Sequence, residues 1–123
     1  GGNSRLDELQ AAILNVKLPW LEADNAARAA IAARYLSGIR HPALALALPA
    51  TDGIHAWHQF TLRCAYRDGL RGHLQRQGIG SLVHYPVPVL RQPAYADPAF
   101  APMPLPETER WAEEVLSLPM FPQ

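Results

Sequence analysis

The hydrophobic pattern of this chain changes period part-way along, and that change restricts it to a fold mixing helix with strand. Leu6, Leu9, Ile13, Val16 and Trp20 recur at spacings of three and four, which places them on one side of a helix beginning near Ser4. Pro19 lacks a backbone donor and disfavours helical geometry at Leu18, so a break falls there. A second, alanine-rich helix is predicted from about Trp20 to Leu36, with Gly38 ending it as a left-handed cap. Over residues 55–64 the period becomes two: Ala56, His58, Phe60, Leu62 and Cys64 share one face, and Trp57, Gln59, Thr61 and Arg63 the other. That is the clearest strand.

Downstream, Asp68 is placed to cap a short helix that turns Leu70 and Leu74 inward and stops at Gly78. Residues 79–85 then read as a second strand, giving a strand, helix, strand unit. Pro86, Pro88, Pro93, Pro98, Pro102, Pro104 and Pro106 make up seven of the twelve prolines and predict a stiff surface loop. A last helix is expected from Glu107, burying Trp111, Val115 and Leu118 at i, i+4 and i+7. Apolar residues run almost to Gln123, so the chain looks cut from something longer.

Composition narrows the function classes. The 123 residues are one domain's worth, and 49% are hydrophobic, enough to bury a core. Eleven basic and eleven acidic residues cancel, so no net field draws nucleic acid or an anionic membrane. Any phosphate would need a local site. Cys64 is the single cysteine, which excludes an intrachain disulfide and suggests a free core thiol. With neither a span-length apolar run nor a signal-peptide pattern, a soluble, cytoplasmic protein is expected.

Few side chains invite chemistry. Lys17, the single lysine, sits in a helical run with nothing nearby to lower its pKa, and is read as solvated. His55 and His58 fall on opposite faces of the predicted strand, so no shared metal is expected. His41 and His73 read as surface residues, and the adjacent Glu113 and Glu114 diverge by about 100 degrees on a helix as solvated charges. Nucleotide-loop, serine-hydrolase and zinc-protease motifs are absent. Two places remain open. The start of the first helix, with Asn3, Ser4 and Arg5, is either an anion site or plain N-capping by Ser4 with Asp7. His84-Tyr85-Pro86, where a strand enters the proline loop, is either a ligand contact or a structural corner.

Long ordered motifs add to this. Gly2-Asn3-Ser4-Arg5-Leu6-Asp7-Glu8-Leu9-Gln10-Ala11-Ala12-Ile13-Leu14, then Lys17-Leu18-Pro19 and Ala32-Ala33-Arg34-Tyr35, follow one family in order. So do Trp57-His58-Gln59-Phe60 with Arg63, Gly78-Ile79-Gly80 before His84-Tyr85-Pro86, Gln92-Pro93-Ala94-Tyr95, and Glu114-Val115-Leu116-Ser117-Leu118-Pro119-Met120. Over nearly its whole length the chain resembles a DegT/DnrJ/EryC1/StrS aminotransferase.

The resemblance implies a pyridoxal-phosphate enzyme of fold type I that moves an amino group, usually from glutamate, onto a nucleotide-linked keto sugar. It places this chain in the C-terminal portion, an α+β small domain with a few mostly antiparallel strands covered by helices. Residues 1–38 would be a helical linker and interface segment, and 39–123 the small domain. The Schiff-base lysine lies in the family's preceding large domain, and Lys17 does not match its motif, so no catalytic residue is assigned and no transamination by the chain alone is expected. Asn3 matches the asparagine that reaches the cofactor phosphate of the neighbouring subunit, with Arg5 adding charge beside it. His84 and Tyr85 match a loop near the sugar nucleotide, where the proline-rich context resembles members acting at the 3-keto position of thymidine-diphosphate 6-deoxy sugars. The implied partners are a second copy or a full-length homologous subunit; the alternative is a truncated assembly module without chemistry. A bare Leu6, Leu9, Ile13 and Val16 face would drive that association.

Overall fold

A computed structural model of the protein describes residues 4–49, 53–95 and 104–122. The chain begins with helix α1, Glu8–Lys17, which starts later than the periodicity suggests. Asp7, not Ser4, is its cap: the Asp7 carboxylate accepts the Leu9 amide at 2.8 Å. A carboxylate there satisfies a free amide and faces the positive end of the helix, so residues 4–6 stay outside it. The Ser4–Asp7 capping box is therefore not formed.

Pro19 acts as expected, tightening Leu18–Trp20 into a 3-10 turn before helix α2, Leu21–Gly38. Gly38 is the last residue of that helix and does not take the left-handed cap conformation; the extended Ile39 closes it, donating to the Tyr35 carbonyl. The left-handed glycine among the described residues is Gly78, with φ of 74°, after helix α3, Arg67–Arg76. Asp68 lies in the first turn of α3, where it pairs with Arg67 and caps nothing.

Three short strands form one antiparallel sheet in the order β1 (Ala45–Leu46), β2 (Phe60–Arg63), β3 (Val115–Leu118). β2 is central: Leu46 and Leu116 both lie opposite Leu62, and Phe60 lies opposite Leu118. The expected strand over 55–64 shortens because Trp57 has φ of 48° and its amide is taken by His55 Nδ1 at 2.9 Å. That left-handed step breaks the ladder and turns Trp57 into the core, where it stacks on Phe60. Phe60, Leu62 and Cys64 are buried as their shared face predicts, and the thiol is free.

Two further expectations change. Residues 79–85 make one antiparallel bridge, Leu82 with Ser117, in place of a strand. The last helix, α4, spans Pro106–Glu114 and ends there; Val115–Leu118 become β3, because pairing with β2 on one side and Leu82 on the other satisfies their backbone groups. Trp111 stays partly exposed under the Arg63 guanidinium, 4.8 Å from its ring centre. Where described, the proline loop is exposed and holds two 3-10 turns, Val89–Arg91 and Pro93–Tyr95; residues 96–103 lie outside the described residues.

The core has two parts. Ala32, Trp57 and Phe60 meet Tyr35, Leu36 and Ile39 of the α2 end; Leu62, Cys64 and Leu116 meet Leu70 and Leu74 of α3. Each large side chain so buried contributes about 1.5–3 kcal/mol. The apolar face of α1 joins neither part: Leu9 is 76% exposed, and Leu6, Ile13, Val16 and Trp20 are also exposed. No helix among the described residues is long and apolar enough to cross a membrane.

Candidate functional site

The site is built where the segment after α3 meets β3. Leu82 and Ser117 exchange both backbone bonds, 3.1 Å from the Leu82 amide and 2.8 Å from the Ser117 amide. Two residues on, His84 returns to the same partner, its Nδ1 lying 2.9 Å from Ser117 Oγ. Between them Val83 packs on the Leu62 and Leu116 core, which holds the segment down. Tyr85 turns outward, 72% exposed, with its ring edge-on to His84 at 5.5 Å.

His84 and Ser117 open onto a groove of about 730 Å³. Arg28 of α2 lines it, together with His58 and Gln59 before β2, and Met120 and Phe121 after β3. Arg28 Nη1 donates to Asn25 Oδ1 at 3.0 Å, one turn back on the same helix. Among the described residues no carboxylate lines the groove, and one guanidinium, two imidazoles, hydroxyls and an amide face an apolar floor. That combination suits an anionic ligand rich in hydrogen-bonding oxygens. At the rim, the Tyr35 hydroxyl donates to the Pro119 carbonyl at 3.0 Å, and burial raises the pKa of this phenol against the opposing pull of Arg34.

The residues singled out in the sequence are distributed unevenly. His84 lines the groove and Tyr85 follows it. Arg5 lies exposed before α1 and does not line the groove; Asn3 lies outside the described residues. Lys17 is exposed in the last turn of α1. Among the described residues, no amine side chain lines the groove. His41 and His55 use Nδ1 to accept local amides, from Ala43 and Trp57, as turn formers. Among the described residues, no group of three or more His, Cys, Asp or Glu side chains is placed to hold a metal. Glu113 is exposed, whereas Glu114 is half-buried and pairs with Arg110 at 3.1 Å and Arg63 at 3.9 Å, so only one of the two is a plain solvated charge.

Sequence reasoning missed Arg28, His58 and Ser117 as groove residues. Arg28 sits among alanines and looks like an ordinary solvated helix charge. His58 invites comparison only with a metal ligand, and Ser117 falls inside a stretch with helical spacing. The available signal was the run of apolar, Ser and Pro residues after Glu114, which suits a strand leading into a turn.

A three-stranded antiparallel sheet with helices and a polar groove at its end defines an α+β fragment of the fold-type I aminotransferase kind. Residues 1–123 match the DegT/DnrJ/EryC1/StrS aminotransferase family, and the chain belongs to it. It is 50% identical over 123 residues to the dTDP-3-amino-3,4,6-trideoxy-alpha-D-glucose transaminase of Streptomyces venezuelae, covering 99% of this chain and 32% of that one. Identity is 43% over 122 residues to the dTDP-3-amino-3,6-dideoxy-alpha-D-galactopyranose transaminase of Aneurinibacillus thermoaerophilus, covering 99% and 33%. The crystal structure of S. venezuelae DesV in complex with a ketimine intermediate matches with a TM-score of 0.91 at 49% identity, covering 100% of this chain and 33% of that one. The chain thus spans about a third of the length of these relatives.

Proposed function

We propose that this chain is the C-terminal portion of a pyridoxal-phosphate-dependent aminotransferase that moves an amino group from glutamate onto a nucleotide-linked keto sugar. The observation that carries the reading is the groove at His84, formed by residues of a family whose relatives here are nucleotide-sugar transaminases. In it, His84 positions the sugar and Arg28 supplies the cation for an anionic substrate group, while Tyr85, exposed beside His84, meets the substrate from outside the groove lining. Asn3 and Arg5, which precede α1 in the sequence, serve the cofactor phosphate of a neighbouring subunit. The cofactor itself would supply the electron sink, and its lysine would come from outside this chain. Both transaminases compared carry 3-amino dTDP sugars in their names, which favours the 3-keto position of a dTDP 6-deoxy sugar.

The division into a helical segment over 1–38 and a small domain over 39–123 belongs to the same reading. The first half of that helical pair stands clear of the core, and its exposed Leu9, Ile13 and Val16 face favours pairing with a second copy or with a full-length homologous subunit. Such pairing would persist even in an assembly module without chemistry.

A chimera tests the catalytic reading. The matched third of the S. venezuelae relative is replaced by this chain, and transfer from glutamate to a dTDP-linked 3-keto sugar is measured. Transfer is expected, with a loss of tenfold or more in kcat/KM for His84→Ala. A folded, cofactor-loaded chimera with no transfer to any nucleotide keto sugar would overturn the reading. Light scattering of the chain alone tests the pairing: Ile13→Arg is expected to lower the apparent mass at high concentration, and a wild-type chain that stays monomeric would refute it.

A further inference from the structure

We infer that Ser117 is a positioning residue for His84, fixing the imidazole through Nδ1 so that Nε2–H is the group offered to the groove. The inference rests on the proposed role of His84 in holding the sugar, but its physical core can be tested without substrate. Ser117 is 5% exposed, the buried polar residue among the described ones, between Leu116 and Leu118 on β3 and opposite Thr61 of β2. Its Oγ has the His84 ring as its partner, at 2.9 Å. Two arrangements of the proton are open. If Nδ1–H donated to Oγ, the hydroxyl hydrogen would have no protein acceptor and only the little water that a 5%-exposed residue meets, a cost approaching that of a lost hydrogen bond. With the hydroxyl donating to Nδ1, the hydrogen is used and the ring carries its own proton on Nε2.

The backbone makes this a specific device rather than a chance contact. The Leu82 and Ser117 amides and carbonyls pair directly, so the distance from β3 to His84 is set by the ladder and not by side-chain flexibility. The serine then fixes the remaining freedom, rotation of the ring. An Nε2–H donor held in this way suits an acceptor oxygen, such as a sugar carbonyl or hydroxyl. A mobile ring would present donor and acceptor edges in turn.

Nuclear magnetic resonance of the chain tests this, with histidine labelled with nitrogen-15 and ring carbon-13 and the His84 signals assigned from His84→Gln. In the wild type, the His84 Nδ1 resonance should lie where a nitrogen accepting a hydrogen bond lies, and ring carbon relaxation should match the rigid backbone. In Ser117→Ala the Nδ1 resonance should move towards that of an exposed histidine and ring order should fall, while the amide shifts of Phe60–Arg63 stay in place. Ser117→Thr, which keeps the hydroxyl, should restore both. An unchanged Nδ1 resonance and ring order in Ser117→Ala, or a wild-type His84 carrying its proton on Nδ1, would overturn the inference. In the chimera, Ser117→Ala should lower kcat/KM about tenfold with His84 present, mostly through KM, and not at all with His84→Gln. An inactive chimera with the expected spectra counts against the proposed function alone; an active chimera with unchanged spectra counts against Ser117 alone.

Discussion

Replacing Phe60 with alanine should test whether the α2 end is held on the sheet by one aromatic contact set. Phe60 is fully buried, 4.9 Å from the Tyr35 ring and 5.6 Å from the Trp57 ring between centroids, and it also packs on Ala32. Truncation of a buried phenylalanine to alanine costs about 3–5 kcal/mol, of which aromatic pairs account for about 0.5–1.5 each. With two such pairs, a loss of about 4 kcal/mol is expected, set against a total of about 5–15 kcal/mol for a domain. Ile54→Ala is the matched control, since Ile54 is fully exposed, lies away from the α1 face, and should change stability by less than about 0.5 kcal/mol. Urea unfolding of the chain followed by fluorescence of Trp57 and its fellows measures both. A loss below about 1 kcal/mol for Phe60→Ala, or one equalled by Ile54→Ala, would refute the view that this cluster fixes α2 and with it the placement of Arg28.

Other outcomes follow from single contacts. Tyr35 has its phenol pKa raised by burial, so the folded state resists ionisation; its contribution is complete below the ordinary phenol range, about 10, and is lost as pH rises through the higher folded value. Tyr35→Phe should remove that alkaline fall in stability, measured by unfolding between neutral and strongly alkaline pH, and should cost about 1 kcal/mol at neutral pH through loss of the bond to Pro119. Gly78→Ala should cost about 1 kcal/mol by thermal unfolding, because φ of 74° is strained for a side chain although nothing lies within 4 Å of the added carbon. Arg67→Ala should cost about 1–2 kcal/mol, since Arg67 donates to the Ala112 carbonyl at 2.8 Å and ties α3 to α4, whereas Asp68→Asn, which alters only an exposed pair, should leave the melting temperature nearly unchanged.

What could be read from the sequence was what depends on local chemistry. The Pro19 break, the buried Phe60, Leu62 and Cys64 face, and the inward Leu70 and Leu74 are set by near neighbours and came out as expected. The errors lie where a distant partner decides. Val115 and Leu118 fit a helical spacing after Trp111, and only the pairing with Arg63 and Phe60 makes them strand. Residues 79–85 have the composition of a strand but, among the described residues, find a ladder partner at Leu82 alone. Strict alternation puts Trp57 on the far face, which its left-handed backbone cancels.

The site shows the same division more sharply. His84 could be picked out because a titratable ring stood where a strand entered a proline loop, a property of consecutive residues. Ser117 is thirty-three positions away along the chain, and its relation to His84 exists only because β3 and Leu82 form a ladder. Arg28 reaches the same groove from α2, whose end is docked by Tyr35 and Leu36 against Phe60. The groove is therefore a consequence of the sheet: β2 gives α2 its seat, β3 gives His84 its anchor, and the space between those two attachments is what remains for a ligand. A fold assembled in this order makes the positioning residues illegible until the strands are paired. A change at Phe60 should accordingly disturb the α2 side of the groove while leaving the bond between Ser117 and His84 in place.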